Sequence, residues 1–364
     1  MRPEKMRIRV DRLSPDGEKA PRVPRAQDVA AAAGISTATV SRTFNSPEKV
    51  APAVRKRVLA AAASLGWLPH AAGAALANGR TAIVGVVIPT LGQEVFAVQV
   101  EAMQAAFAER GITLLIGCSN YNPAAAQAQV RAMLARGVEA LAIVGETQEP
   151  GLFEMIQARR IPYVVTYGYQ PDSPHPCVGF DNHEAFRTIT RHLLALGHQT
   201  FGLILQPKAN NDRVAARLDG VRQALAEQGL GLRPQHLCEG HWEIGFGRKS
   251  LRAMFEGPRP HPTAVICGTD LLAIGALLEA RAMGLTVPRD LSITGFDDIA
   301  FAAEIDPPLT TMRVDNAEIG RLAAQHLLAL LDGNVPASKV AVTAQFVERA
   351  TTAAPSSNHL SPRL

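Results

Sequence analysis

The segment from Arg25 to Asn45 constrains the fold of this 364-residue chain most, because it predicts two short helices joined by a tight turn. Val29 and Ala33 give the first helix an apolar edge. Gly34 suits the turn, since glycine enters the left-handed backbone conformation without a steric penalty. Ser36 follows as a favourable N-cap for the second helix. The segment therefore predicts a helix-turn-helix.

The second predicted helix has one apolar face and one small, polar and basic face. Val40 and Phe44 share the apolar face at i and i+4. A helix that enters a major groove needs short side chains for close approach and a long cation or amide to reach base edges or phosphates. The candidate DNA-contacting residues of this helix are Thr37, Ala38, Thr39, Ser41, Arg42 and Asn45. An ordinary helical hairpin that binds no ligand could show the same pattern. The charge and the order of the remaining segments are therefore needed to distinguish it from a DNA-binding helix-turn-helix.

Charge is distributed unevenly along the chain. Residues 1–80 hold 14 Lys and Arg against 6 Asp and Glu, a net charge of +8, whereas the remainder holds 23 against 27, a net charge of −4. The two parts together give the overall +4. A local positive field is typical of a polyanion partner, and the change of sign predicts two modules with different partners.

The N-terminal module is predicted to end in a third helix. Residues 1–23 carry basic residues among Pro, Gly and acidic residues, and they predict a disordered basic arm that adds phosphate contacts or serves only as a solubilising tail. Pro52 opens a helix over 53–65 that ends at Gly66. The three helices predict a DNA-binding domain over 24–68.

This region resembles the head of the LacI-type repressor family. The motif D-V-A-x-x-A-G-I-S-x-x-T-V-S-R-x-x-N is followed by R-x-R-V-x-x-A-x-x-x-L-G-W-x-P-x-x-x-x-x-x-L-A. The resemblance implies a hinge helix or linker over 69–80 whose Leu76 wedges into a minor-groove step and kinks the duplex. The chain departs from the family at Arg25 and Ala51, where capping Thr and Ser residues are usual, and each loss is expected to cost about 1 kcal/mol.

Beyond Thr81 the pattern changes to continuous apolar strands separated by amphipathic helices, which predicts an α/β fold with doubly wound parallel sheets. Two similar halves are expected to clamp a small ligand at the carboxyl ends of their strands. The resemblance extends over about residues 25–352 and implies a periplasmic-binding-protein-like core. The predicted core covers 81–354, with one half at 81–180 plus 309–338, the other at 181–308 plus 339–354, and a flexible tail at 355–364.

The resemblance also implies an effector site in the crevice. Its family positions fall on Arg217 of R-L-D-G-V and Asp297 of G-F-D-D, where a bidentate cation and an acceptor-only carboxylate suit a polyhydroxylated ligand. A structural ion pair is the alternative for these two. Phe96 is a further candidate or a core residue, and Tyr167 and Thr269 follow strands. Segments Q-E-V-F-A, Y-N-P and V-G-F-D-N resemble the gluconate-operon repressor branch and suggest a sugar-acid effector.

Enzyme signatures are missing from the sequence, so no catalytic residues or cofactors are predicted. No G-x-G-x-x-G follows a strand, and G-H-W-E-I-G lacks the Lys-Ser/Thr of a P-loop. His236, Cys238 and His241 lack a second ligand group at metal-site spacing. The adjacent carboxylates of Asp297 and Asp298 are expected to point in opposite directions.

The combined prediction is a cytoplasmic homodimeric repressor. A homodimer is expected because one head reads one half-site, and its twofold symmetry matches double-stranded, pseudo-palindromic operator DNA. The other expected partner is a sugar or sugar-acid effector, and no membrane contact is expected. The first twenty residues lack the apolar segment of a secretory signal, and no apolar run is long enough for a bilayer span. A sugar-binding module related to transport receptors is the alternative, and an α/β enzyme is third.

Overall fold

The computed structural model describes residues 22–68 and 79–356. The chain divides between Thr81 and Ala82 into two compact units, here called the head and the core domain. The predicted arm before residue 22, the predicted hinge with Leu76, and the tail after residue 356 lie outside the described residues. Within these ranges, no helix is both long and apolar enough to cross a membrane.

The head consists of three helices around a small apolar core. They are α1 (Ala26–Ala33), α2 (Thr37–Asn45) and α3 (Pro52–Leu65). Gly34 ends α1 with φ of 64°, and Gly66 ends α3 with φ of 63°. The buried core residues are Val29, Ala30, Ala33, Val40, Val58, Ala61 and Ala62. The predicted helix-turn-helix head is confirmed.

The first half of the core domain alternates strands with helices. Its strands are β1 (Ile83–Ile88), β2 (Thr113–Cys118), β3 (Ala140–Val144), β4 (Tyr163–Thr166) and β5 (Cys177–Gly179). Its helices are α4 (Glu94–Ala108), α5 (Pro123–Ala135) and α6 (Leu152–Ala158). Every residue of β3 is buried, as expected for a parallel strand that is covered on both faces.

The second half repeats this alternation. Its helices are α7 (Asn182–Ala195), α8 (Asp212–Ala226), α9 (Ile244–Glu256) and α10 (Asp270–Ala282). Its strands are β6 (Phe201–Leu205), β7 (Leu237–Glu239), β8 (Ala264–Cys267) and β9 (Ser292–Thr294). Helices α7 and α8 approach closely at Gly220, where a Cβ atom would collide with the backbone carbonyl of His183. The glycine of R-L-D-G-V therefore serves helix packing.

The chain then returns through β10 (Thr311–Val314), α11 (Asn316–Leu331), β11 (Lys339–Ala341) and β12 (Ala344–Val347). The larger sheet has the order β11-β5-β4-β3-β1-β2, the smaller has the order β7-β6-β8-β9, and β10 pairs with β12. Both larger sheets are parallel, which confirms the predicted α/β class.

The position of β11 corrects the predicted division of the core domain. The sequence predicts that 339–354 belongs to the second half, but β11 pairs in parallel with β5 and therefore completes the first sheet. Its three residues are too short and too exposed to give a periodic apolar signal. The following strand, β12, lies outside that sheet and pairs with β10.

Candidate functional site

The exposed face of α2 presents most of the predicted DNA-contacting residues. The exposed residues on it are Thr37, Ala38, Ser41 and Arg42. Thr39 and Asn45 are partly buried: the Thr39 hydroxyl shares a hydrogen bond of 3.0 Å with the Ser36 hydroxyl, and Asn45 Nδ2 donates to Ser41 Oγ over 3.1 Å. Thr39 therefore takes part in the N-terminal cap of α2. Contact of these residues with DNA stays a prediction.

The opposite face of α2 fixes the orientation of this surface. Val40 is fully buried, and the Phe44 ring meets Trp67 edge-on with 5.4 Å between ring centroids. The Thr43 hydroxyl donates to the Thr39 carbonyl over 2.9 Å. An apolar side packed on α1 and α3 leaves the polar side to solvent, so the helix is presented as a rigid element.

Two helix starts in the head lack a side-chain cap. Arg25 has no acceptor atom, and only the reciprocal half of a capping box forms, in which Asp28 accepts from the Arg25 backbone N–H over 2.6 Å. Ala51 precedes α3 without any side-chain cap. By contrast, Ser36 Oγ accepts from the Thr39 backbone N–H over 3.3 Å.

The core domain brings all five predicted effector residues to one cavity between its halves, here called the cleft. They are Phe96, Tyr167, Arg217, Thr269 and Asp297. Tyr167, Thr269 and Asp297 follow the carboxyl ends of β4, β8 and β9, where ligands of parallel sheets bind. The central cavity has a volume of only about 30 Å³, and adjoining cavities measure about 190 and 200 Å³. The central cavity is therefore smaller than the roughly 300–1,000 Å³ that is usual for small-molecule sites.

Arg217 is held at the base of the cleft by several contacts. Its Nε donates to Asn182 Oδ1 over 2.8 Å, and its Nη1 donates to the Gly268 carbonyl over 2.9 Å. The guanidinium lies 4.0 Å from the Phe296 ring centroid. Burial lowers the pKa of Arg217 to about 10, so it keeps its charge at neutral pH. The remaining donors face the cavity in a fixed orientation.

Asp297 and Asp298 are adjacent but have different surroundings. Asp298 accepts from Arg313 Nε and from Arg349 Nη2, both over 2.7 Å, so it is a structural ion-pair residue. Asp297 lines the cleft with φ of 111°, and within the described ranges it forms no ion pair. Burial raises the pKa of Asp297 well above its usual range, and Arg217 opposes that rise. In its ionised form a carboxyl group without a direct partner accepts ligand hydroxyl groups, and in the neutral form that burial favours it also donates one hydrogen bond.

Asp270 positions the loop that carries Asp297. Its Oδ2 accepts from the Ile299 backbone N–H over 2.8 Å, and its Oδ1 accepts from the Thr311 hydroxyl over 2.6 Å. Burial raises the pKa of Asp270 to about 7. Beside it, Thr269 caps α10 by accepting from Leu272 N–H over 3.4 Å. The Thr269 hydroxyl oxygen therefore already accepts one hydrogen bond from the protein.

The two aromatic candidates pack against each other in the first half. Phe96 and Tyr167 meet edge-on with 5.1 Å between ring centroids. The Tyr167 hydroxyl donates to the Val95 carbonyl over 2.7 Å, and burial raises its pKa well above the ordinary value. Both rings form an apolar wall of the cleft, while the hydroxyl of Tyr167 is hydrogen-bonded to the first turn of α4. Tyr167 is therefore suited to shape the cleft rather than to donate to a ligand.

Sequence reasoning missed several polar residues of the cleft. These are Gln93, Tyr121, Gln206, Asn211 and Arg213. Arg213 lies one helical turn before Arg217 on α8, and Gln206 directly follows β6, so helical spacing and the strand-end rule could have found both. Gln93 and Tyr121 join across the first half, because Gln93 Nε2 donates to the Tyr121 hydroxyl over 2.8 Å. Their loops carry no comparable periodic signal.

The cleft is suited to binding a polar ligand. It combines two guanidinium groups, one unpaired carboxylate, amide groups and aromatic walls. Across residues 22–68 and 79–356, no group of three or more His, Cys, Asp or Glu side chains could hold a metal ion.

A two-half α/β core with a polar cleft, joined to a helix-turn-helix head, defines the class of ligand-binding transcriptional regulators. Comparison with known families agrees with this class. Residues 26–70 match bacterial regulatory proteins of the lacI family, and residues 190–352 match the periplasmic binding protein-like domain. The chain belongs to the lacI family of regulators.

Individual relatives cover nearly the whole chain. The HTH-type transcriptional repressor CytR of Escherichia coli K12 is 32% identical over 308 residues, which is 84% of this chain and 89% of CytR. The HTH-type transcriptional regulator GntR of the same strain is 30% identical over 316 residues, covering 85% and 92%. The lac repressor dimer solved with operator and the anti-inducer ONPF matches with a TM-score of 0.80 and 27% identity, covering 92% of this chain and all of that one.

Proposed function

We propose that this chain is a homodimeric transcriptional repressor whose affinity for operator DNA is controlled by a sugar acid of the gluconate type. The observation that carries the proposal is the convergence of all five candidate effector residues on one cleft, in a chain whose head exposes a small, polar and basic helix face. Arg217 supplies oriented cationic donors, and Asp297 supplies an acceptor for hydroxyl groups.

The DNA-binding half of the proposal rests on the face of α2. Thr37, Ala38, Thr39, Ser41, Arg42 and Asn45 are proposed to meet base edges and phosphates. Leu76, which lies outside the described residues, is proposed to enter the minor groove. The similarity to a lac repressor dimer that was solved with its operator supports a twofold-symmetric complex. A protein of this kind acts in the cytoplasm without enzymatic turnover.

The effector assignment rests on chemistry and on one relative. GntR is 30% identical and CytR is 32% identical, so identity alone does not separate the two branches. Two arginines in the cleft favour an acid over a neutral ligand. Effector binding would change the separation of the two halves and thereby the operator affinity, which is a coupling of two distinct sites.

Selection of random duplex DNA by the full chain tests the proposed function. We expect enrichment of a sequence with twofold symmetry and loss of that enrichment for the variant Arg42→Ala. Sedimentation of the protein–DNA complex should give two chains per duplex. Enrichment of no sequence by the parent protein would contradict DNA-specific regulation, whereas one chain per duplex would contradict the homodimer.

A further inference from the structure

Arg213 is a buried cation with unused hydrogen-bonding capacity in the cleft. It stands one turn before Arg217 on α8, and its side chain is 9% exposed. In the part of the chain that the structure describes, its hydrogen bond is to Asp212 Oδ1 over 3.2 Å. A guanidinium has five N–H donors, so most of its donors are available to a ligand.

The position of Arg213 is fixed from both halves of the core domain. Asp212 Oδ2 accepts from the backbone N–H of Glu146 over 3.1 Å, which ties the start of α8 to the segment after β3. Gly145 leaves the room for this approach, since a Cβ atom there would collide with Arg213 Nη1. The Arg213 guanidinium therefore reaches from α8 to the segment after β3, and it lines the cleft there.

Gln206 supplies a complementary acceptor in the same cavity. It directly follows β6, is 6% exposed, and its Oε1 has no hydrogen-bond partner within the described residues. An unpaired buried carbonyl oxygen is costly to the folded protein unless a ligand or solvent group donates to it. The Gly268 backbone packs closely beside this oxygen, because a Cβ atom at that position would stand only 3.0 Å from it.

We propose that Arg213 and Gln206 form an acid-recognition subsite, in which Arg213 binds the carboxylate of the effector and Gln206 Oε1 accepts one of its hydroxyl groups. This inference rests on the proposed function, because it assigns specificity within the same cleft. The negative charge of Asp212 beside Arg213 disfavours a dianionic phosphate, so a monoanionic hydroxy acid fits better. Arg217 and Asp297 make general contacts with the ligand. The subsite would in addition distinguish an acid from its neutral counterpart.

Calorimetric titration of the full chain with D-gluconate and with D-sorbitol tests the subsite. The two molecules share six carbons, and sorbitol carries a hydroxymethyl group in place of the carboxylate. We expect the parent protein to prefer gluconate by about 10- to 100-fold, the range of a charge-assisted hydrogen bond. Arg213→Gln should remove this preference, whereas Arg213→Lys should keep part of it. Gln206→Leu should lower the affinity for both ligands by a similar factor.

Arg222→Gln is the matched control, because Arg222 lies on the same helix but is exposed and outside the cleft. This variant should keep the full preference for gluconate. Equal binding of both ligands by the parent, binding of neither, or an unchanged preference in Arg213→Gln would overturn the subsite. Operator affinity measured on the same samples separates these outcomes from failure of the proposed function, and a thermal melt of each variant reports whether its core domain is folded.

Discussion

The reading face of α2 and the effector cleft are built in different ways. The face comes from one nine-residue helix and lies in solvent. The cleft collects side chains from segments between Gln93 and Asp297, and most of them are buried. Substitutions on the face should therefore alter DNA recognition at little cost in folding, whereas substitutions in the cleft should alter ligand affinity and stability together.

The largest effect is expected for Arg217→Ala. The substitution leaves Asn182 Oδ1 and the Gly268 carbonyl without their donor and removes the cation beside Asp297. Two buried acceptors left without their donor typically cost about 2–6 kcal/mol together. We expect the free energy of unfolding of the core domain to fall by that amount in denaturant titration and gluconate affinity to fall more than 100-fold. The exposed Arg222→Ala should change neither quantity, and similar losses in both variants would contradict the assigned role of Arg217.

Asp270→Asn should change how the stability of the core domain depends on pH. The folded-state pKa of about 7 exceeds the ordinary value of 3.8, so the folded protein binds an additional proton between these values. The resulting stabilisation is fully present below about pH 4, is lost as pH rises through 7, and amounts to at most about 4 kcal/mol. The substitution should therefore lower Tm most at pH 5 and least at pH 8. A loss in Tm that grows with pH would contradict the raised pKa.

Replacement of Thr37 and Ala38 should change the preferred DNA sequence. Because both side chains are exposed, we expect no loss of stability and unchanged ligand binding. Direct base contacts discriminate by about 1–3 kcal/mol per base pair, so the preference should shift by about 10- to 100-fold at the affected positions. Selection from random duplexes measures this shift. Equal weakening on every sequence would show that the two residues only position the backbone.

The smallest effect is expected at the two uncapped helix starts. Arg25→Thr would complete the capping box with Asp28, and Ala51→Ser would add an acceptor before Pro52. Each change should stabilise the head by about 1 kcal/mol in thermal melts, with no change in ligand affinity. Ser36→Ala is the control and should destabilise the head by a similar amount. No gain from either replacement would mean that solvent already satisfies those N–H groups.

The same contrast explains what the sequence could predict. The face of α2 follows from local spacing, since Val40 and Phe44 assign one side to the core and leave Thr37 and Arg42 on the other. The alternation of apolar strands and helices predicts the α/β core in the same way. The candidate residues of the cleft were predicted by resemblance, because no local pattern connects Phe96 with Asp297.

The remaining features depend on contacts between distant segments. The pairing of β11 with β5 has no periodic signature in three residues. Asp297 and Asp298 differ because Arg313 and Arg349 lie beside only one of them. Likewise, the buried and unpaired Oε1 of Gln206 appears only when the segments after β6 and β8 are brought together. Such roles follow from tertiary neighbours, which spacing along the chain does not report.

The most direct test of the coupling between the two regions is a fluorescence anisotropy titration of the full chain on its selected duplex, with and without D-gluconate. We expect gluconate to weaken DNA binding of the parent protein by about 5- to 150-fold, the usual range of allosteric coupling. Arg217→Ala should bind the duplex normally and ignore gluconate. An operator affinity that is identical with and without gluconate in the parent protein would contradict the account.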